Sequence, residues 1–205
     1  MSKDNLISGL DIGTNYIRLV VGQTNPNDGQ FYVISATEVP SHGVSKGSIV
    51  SIEDVVSSIT SCLEQAERVI GQSIKHVYVG MSGTHIQTML SKGVVAVSRA
   101  DNEIAESDIG RVIEAAQTVA TPPNYEILHV IPKLFSVDNQ TGVKDPVGMS
   151  GVRLECETQI IQGQASHIKN LTKAIYRTGL EIDDLVLSSL ANAEVCLTVK
   201  QKELG

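Results

Sequence analysis

The chain has 205 residues, 41% of them hydrophobic, and a formal net charge of −7. That balance excludes the basic stripe of a non-specific nucleic-acid binder, and no apolar run is long enough for a transmembrane helix. Aromatic residues make up only 3% with no Trp, so the core is expected to be aliphatic, rich in Val, Ile and Leu.

Leu6 to Leu10 reads as a short buried strand. Tyr16 to Gly22 reads as a second, with Ile17, Leu19 and Val21 on one face. Asn25-Pro26-Asn27-Asp28-Gly29 is a turn, and Phe31 to Glu38 alternates as a third strand. Residues 1–38 therefore read as an antiparallel meander. Pro40 to Gly47 reads as a Ser- and Gly-rich loop. Ser51 is an N-cap, Glu53 and Asp54 favour the positive end of the helix dipole, and an apolar stripe runs from Ile52 to Ile70 before Gly71. His76 to Gly80 is then a buried strand, which a right-handed crossover places parallel to the first.

The pattern then changes. Ile86 to Leu90 and Val94 to Val97 read as weak strands around Ser91-Lys92-Gly93. Ser107 is the expected N-cap of a second helix with the stripe Ile109, Val112, Ile113, Ala116, Val119 and Ala120, stopped by Thr121-Pro122-Pro123. Tyr125 to Val137 is a long extended run whose Pro132 implies an edge or a bulge. Asn139 to Gly142 is a turn, Pro146 to Gly151 a loop, and Val152 to Gln162 another strand. A helix over about Ser166 to Thr178, a strand over Ile182 to Leu187 and a helical stretch over Ser188 to Val199 close the chain. Residues 1–83 and 160–205 thus read as one α/β layer, and residues 84–159 as a small α+β insert.

Cys62, Cys156 and Cys196 are far apart and lie in apolar-periodic stretches, so all three read as buried hydrophobes. The five histidines form no metal-ligand pattern. Met1 to Asn5 carries no secretory h-region, which points to a cytosolic protein.

The chemistry concentrates in Asp11-Ile12-Gly13-Thr14-Asn15. Gly13 allows close backbone approach, and the N–H groups around Thr14 and Asn15 can form an anion-binding nest. Asp11 can hold a hydrated Mg²⁺ through its waters. Asp, Gly, Thr and Asn are equally the residues of a plain hairpin turn. The loop alone leaves both readings open.

A three-strand meander, a helix and a fourth strand, opening on an acidic-x-Gly-Thr turn, resembles the first subdomain of actin-like ATPases. The stretches Val39 to Gly47, His129-Val130-Ile131-Pro132 and Lys144 to Leu154 (KDPVGMSGVRL) narrow this. With them the chain, from about Leu6 to Gly205, resembles the FtsA family of bacterial actin-like cell-division proteins. The resemblance implies an actin-like (ribonuclease H-like) ATPase subdomain with an inserted SHS2-type subdomain at 84–159, the chain stopping before a second lobe. It implies binding of ATP and Mg by the full-length protein, weak or none in this one lobe, with at most weak ATPase activity in the full-length protein. Asp11 would sit by the metal, and Gly13, Thr14 and Asn15 would cradle phosphates. Tyr16 stands where some relatives have Lys, and Arg18, on the same strand face, would compensate.

The implied partners are further copies of the protein in filaments, the FtsZ ring through the second lobe, and later division proteins through 84–159. The membrane would be reached only through a C-terminal amphipathic helix, which places the full-length protein on the cytoplasmic face of the inner membrane at the division site. Two alternatives remain within the superfold. One is a pilus-assembly actin-like protein. The other is a sugar-kinase-type phosphotransferase, which the insert disfavours.

Overall fold

The structure, a computed structural model, describes residues 6–25, 28–98, 100–118 and 122–204. Pro26 and Asn27 of the expected turn, and Val119, Ala120 and Thr121 at the expected end of the second helix, lie outside them. Two compact units emerge. One runs to His85 and resumes at Ser166, and the other spans Ile86–Ala165.

The first unit opens with β1 (Leu6–Ile12), β2 (Tyr16–Thr24) and β3 (Phe31–Pro40). A small hairpin follows, β4 (Val44–Ser45) and β5 (Ser48–Ile49), then α1 (Ile52–Ile70) and β6 (His76–Met81). Its core rests on period-two alternation. Ile17, Leu19 and Val21 of β2 are fully buried, while Tyr16, Arg18 and Val20 face outward. On α1 the buried residues Val55, Ile59, Cys62 and Ala66 recur at helical spacing and pack on that same apolar face. Each fully buried Val or Ile here contributes about 1.5–3 kcal/mol. The Ser51 hydroxyl accepts from the Asp54 N–H, and Gly71, at φ 74°, ends the helix by donating to Glu67 O.

The second unit contains β7 (Ile86–Ala96), α2 (Glu106–Thr118), β8 (Tyr125–Val137), β9 (Gln140–Val143) and β10 (Arg153–Gln164). The sheet order is β7-β10-β8-β9, and Val112 of α2 shares a core with Ile104, Phe135, Val137, Leu154 and Cys156. Lys133 is bulged out of the β8–β10 ladder, because Leu134 opposes Glu157 and Pro132 opposes Thr158. β9 opposes only Phe135 and Val137, so Pro132 also lies where β8 has no second neighbour. Both conditions for a proline inside a strand are met.

The chain then returns to the first unit with α3 (Ala165–Tyr176), β11 (Glu181–Leu187), α4 (Ser188–Cys196) and α5 (Val199–Leu204). The completed sheet has the order β11-β6-β1-β2-β3, with β1 parallel to β6 and antiparallel to β2.

Four expectations are corrected. The two weak strands expected around Ser91-Lys92-Gly93 are one continuous β7, with these three residues at its middle, paired with Thr158, Glu157 and Cys156. Gly93 is needed for close approach, since a Cβ there would lie 2.0 Å from Val112 O of α2. The loop from Pro40 to Gly47 includes half of a two-residue hairpin, with Lys46 (φ 48°) and Gly47 (φ 74°) both left-handed as a primed turn requires. Ser107 lies inside the first turn of α2 instead of capping it. The carboxylate of Asp108 accepts from Ala105 N at 3.0 Å and from Ser98 Oγ at 2.9 Å. Cys196 is exposed at the end of α4, a helix with no buried residue.

Candidate functional site

The sheet of the first unit buries one face under α1 and leaves the other face open around β1. Asp11 projects to the open face because its neighbours Leu10 and Ile12 are committed to the core. The strand register sets a row across that face. Gly80 of β6 lies beside Asp11, Asp11 beside Arg18 of β2, and Arg18 beside Glu38 of β3. A cleft of about 650 Å³ covers part of this row, with Val20, Tyr78, Ser188 and Asn192 also in its lining.

Contacts are tight where Gly80 meets Asp11. A Cβ on Gly80 would lie 2.8 Å from Ser188 Oγ and 3.3 Å from Asp11 Oδ1. Ser188 begins α4, and its buried hydroxyl has no hydrogen-bond partner among the described residues. Buried hydroxyls are rarely left so.

Arg18 does not stand free over the site. Its Nε donates to Glu38 Oε2 at 2.7 Å, its guanidinium lies 5.3 Å from the Tyr16 ring centroid, and its Nη1 is 3.9 Å from Asp11 Oδ2. Glu38 therefore neutralises much of the charge that Arg18 brings. All three side chains are about half exposed, so the pairs are screened and contribute little to stability.

The turn itself is Gly13-Thr14-Asn15. Gly13 N donates to Tyr16 O at 3.0 Å, and a Cβ on Gly13 would lie 2.8 Å from the same oxygen. Thr14 Oγ1 accepts from Gly47 N at 3.1 Å, and Asn15 O accepts from Ser41 N at 2.9 Å. The turn is thus tied on both flanks, while the side chains of Thr14 and Asn15 stay exposed.

No cluster of three metal-ligating side chains exists among the described residues. That donor set does not suit a metal held by protein ligands alone. It does suit a hydrated Mg²⁺ that one carboxylate holds through the ion's waters, with phosphate oxygens completing the shell. The orphaned Ser188 hydroxyl, which Gly80 admits close to Asp11, fits a polar ligand at this place. Sequence reasoning places Asp11, Gly13, Thr14, Asn15, Tyr16 and Arg18 together, and they are together. It misses Gly80, Ser188 and Gly47, which only the strand register and the β4–β5 hairpin bring there.

Comparisons with known proteins bear on the whole chain. Residues 83–162 match the family described as the SHS2 domain inserted in FTSA. The cell division protein FtsA of Pseudomonas aeruginosa is 41% identical over 200 residues, 98% of this chain and 47% of that protein. FtsA of Borreliella burgdorferi is 42% identical over 98% of this chain and 48% of its own length. FtsA of Bacillus subtilis is 40% identical over 100% of this chain and 46% of its own length. The chain spans about half the length of the curated relatives it matches.

Among solved structures, a PilM–PilN type IV pilus biogenesis complex superposes with a TM-score of 0.62 at 14% identity, over 92% of this chain and 49% of that one. That likeness is one of fold. The fold is the actin-like α/β fold with an SHS2 insertion, as the resemblance implied. No helix among the described residues is long and apolar enough to cross a membrane. The sequence match along almost the whole chain and the inserted SHS2 domain agree: the chain belongs to the FtsA family.

Proposed function

We propose that the protein acts in cell division as an ATP-binding, actin-like adaptor. The observation that carries this is the row Gly80–Asp11–Arg18 beside the tethered Gly13–Asn15 turn, in a chain 41% identical to a cell division protein. Asp11 holds a hydrated Mg²⁺ through its waters. The backbone N–H groups of Thr14 and Asn15 bind the terminal phosphates, while Gly13, whose own N–H is held by Tyr16 O, keeps the chain close to them. Gly80 lets Ser188 approach Asp11 closely, and Ser188 supplies a hydroxyl that is otherwise unused. Tyr16 and Arg18 flank the turn, with Arg18 steadied by Glu38. Mg²⁺, when bound, neutralises phosphate charge and orients the phosphate oxygens. Nucleotide serves as an assembly ligand, with at most slow hydrolysis.

The protein polymerises at the cytoplasmic face of the membrane and tethers the FtsZ ring. The insert, residues 84–159, carries contacts to neighbouring copies and to later division proteins. Depletion of the protein from its own cell tests this reading. Long cells without septa are expected, and normal division at full depletion would overturn it.

A further inference from the structure

The proposed phosphate turn depends on a chain of contacts that begins well away from it. Thr14 Oγ1 is held by Gly47 N–H at the tip of the β4–β5 hairpin. The next residue, Ser48, hydrogen-bonds through its hydroxyl to His167 Nδ1 at 3.2 Å. His167, in the first turn of α3, stacks on His85 with ring centroids 4.6 Å and planes 17° apart. His85 is only 7% exposed, and its Nδ1 makes no hydrogen bond among the described residues. Beside these rings lies a cavity of about 20 Å³, also lined by Ile12, Met81, Ser82 and Leu171. Every residue in this chain of contacts lies in the first unit.

Packing alone does not account for two imidazoles here. An aliphatic pair would fill the space without burying an unpaired ring nitrogen, which is unfavourable. The hairpin tip is also wedged, since a Cβ on Gly47 would lie 2.9 Å from Ser82 O. Hairpin and imidazoles therefore form one rigid support behind Thr14.

We propose that His85 and His167 are positioning residues for the phosphate-binding turn, acting through Ser48 and the β4–β5 hairpin on the Thr14 hydroxyl. This rests on the nucleotide reading of that turn. The support holds while the buried His85 ring is neutral. No carboxylate or cation lines the cavity, and Lys46 and Lys169, the charges on the hairpin and on α3 nearest in sequence, are exposed. A proton on His85 thus meets the His167 imidazole and no counter-ion. Burial first, and the neighbouring His167 second, hold the pKa of His85 below the ordinary histidine range. The unfolded chain then binds the proton more readily. The support is complete above about pH 6.5 and weakens as pH falls below it.

The test uses the full-length protein with His167→Ala and His167→Gln. Without nucleotide, hydrogen exchange of the Gly47 amide is expected to speed up about tenfold in His167→Ala, roughly the loss of one net hydrogen bond. His167→Gln keeps a partner for Ser48 and restores slow exchange. Mg-ATP affinity is expected to fall about tenfold in His167→Ala and to recover in His167→Gln. In wild type it weakens below about pH 6.5, and in His167→Gln that loss is reduced. The comparison between the two proteins cancels the titration of ATP itself. Unchanged Gly47 exchange, or affinity indifferent to His167→Ala, overturns the positioning role alone. A wild-type protein that binds no Mg-ATP overturns the nucleotide reading and the positioning role with it.

Discussion

Gly93 and Gly110 make a matched pair for testing how the inserted unit is built. A Cβ on Gly93 would lie 2.0 Å from Val112 O and 2.8 Å from Ala116 N, both backbone atoms of α2. Neither can rotate away, so Gly93→Ala must lift the helix from β7 by roughly 1 Å. Overpacking of this kind costs about 1–3 kcal/mol and more where backbone must move. The shift also loosens Val112 and Ala116, both fully buried. We expect a loss near the top of that range, about 3 kcal/mol. For a unit of this size that lowers its melting temperature by more than about 10 °C.

Gly110 lies inside the same helix, and a Cβ added there would meet nothing within 4 Å. Gly110→Ala should stabilise by about 0.5–1 kcal/mol, because alanine loses less backbone entropy in a helix. Urea and thermal melts of both variants read the two signs. A neutral Gly93→Ala would refute the close helix-on-strand contact, and a destabilising Gly110→Ala would refute the open environment.

Three further outcomes are expected. Asp108→Ala strips the acceptor from Ala105 N and Ser98 and should destabilise the inserted unit by about 2–4 kcal/mol in urea melts. The N–H of Ala105, with Arg111 and Ser98, holds the Asp108 carboxyl well below the usual carboxylate range. Its contribution is therefore full above about pH 4 and is lost as pH falls further, so Asp108→Asn should flatten the acid limb of the stability profile. Gly80→Ala should crowd Ser188 and Asp11 and weaken Mg-ATP binding several-fold while the melting temperature moves little, because the Ser188 hydroxyl can rotate.

Much of the first unit was legible. The burial of Ile17, Leu19 and Val21, the stripe of α1 and the caps at Ser51 and Gly71 follow from local periodicity and capping chemistry. The two demands on Pro132 were legible too, because a missing N–H constrains any ladder. What escaped depends on partners distant in sequence. Gly93 looks like a turn residue until α2 is laid on it. Lys46-Gly47 carries a weaker turn signal than Asn-Gly, because lysine is seldom left-handed. Asp108 outcompetes Ser107 as a cap only because Ser98 and Arg111 converge on it. At the site, Asp11 to Asn15 and Arg18 stand out by residue type. Gly80 and Ser188 do not, since nothing local to them marks their approach to Asp11.

The central claim is that Asp11 and its turn hold the phosphates of a Mg-bound nucleotide. Calorimetric titration of the full-length protein with ATP tests it most directly, in wild type and Asp11→Ala, each with and without Mg²⁺. The expected result is saturable binding by wild type that weakens at least about tenfold when either Mg²⁺ or the Asp11 carboxylate is removed, with no further loss when both are. Equal affinity in all four titrations would contradict it and leave the turn as a hairpin connection.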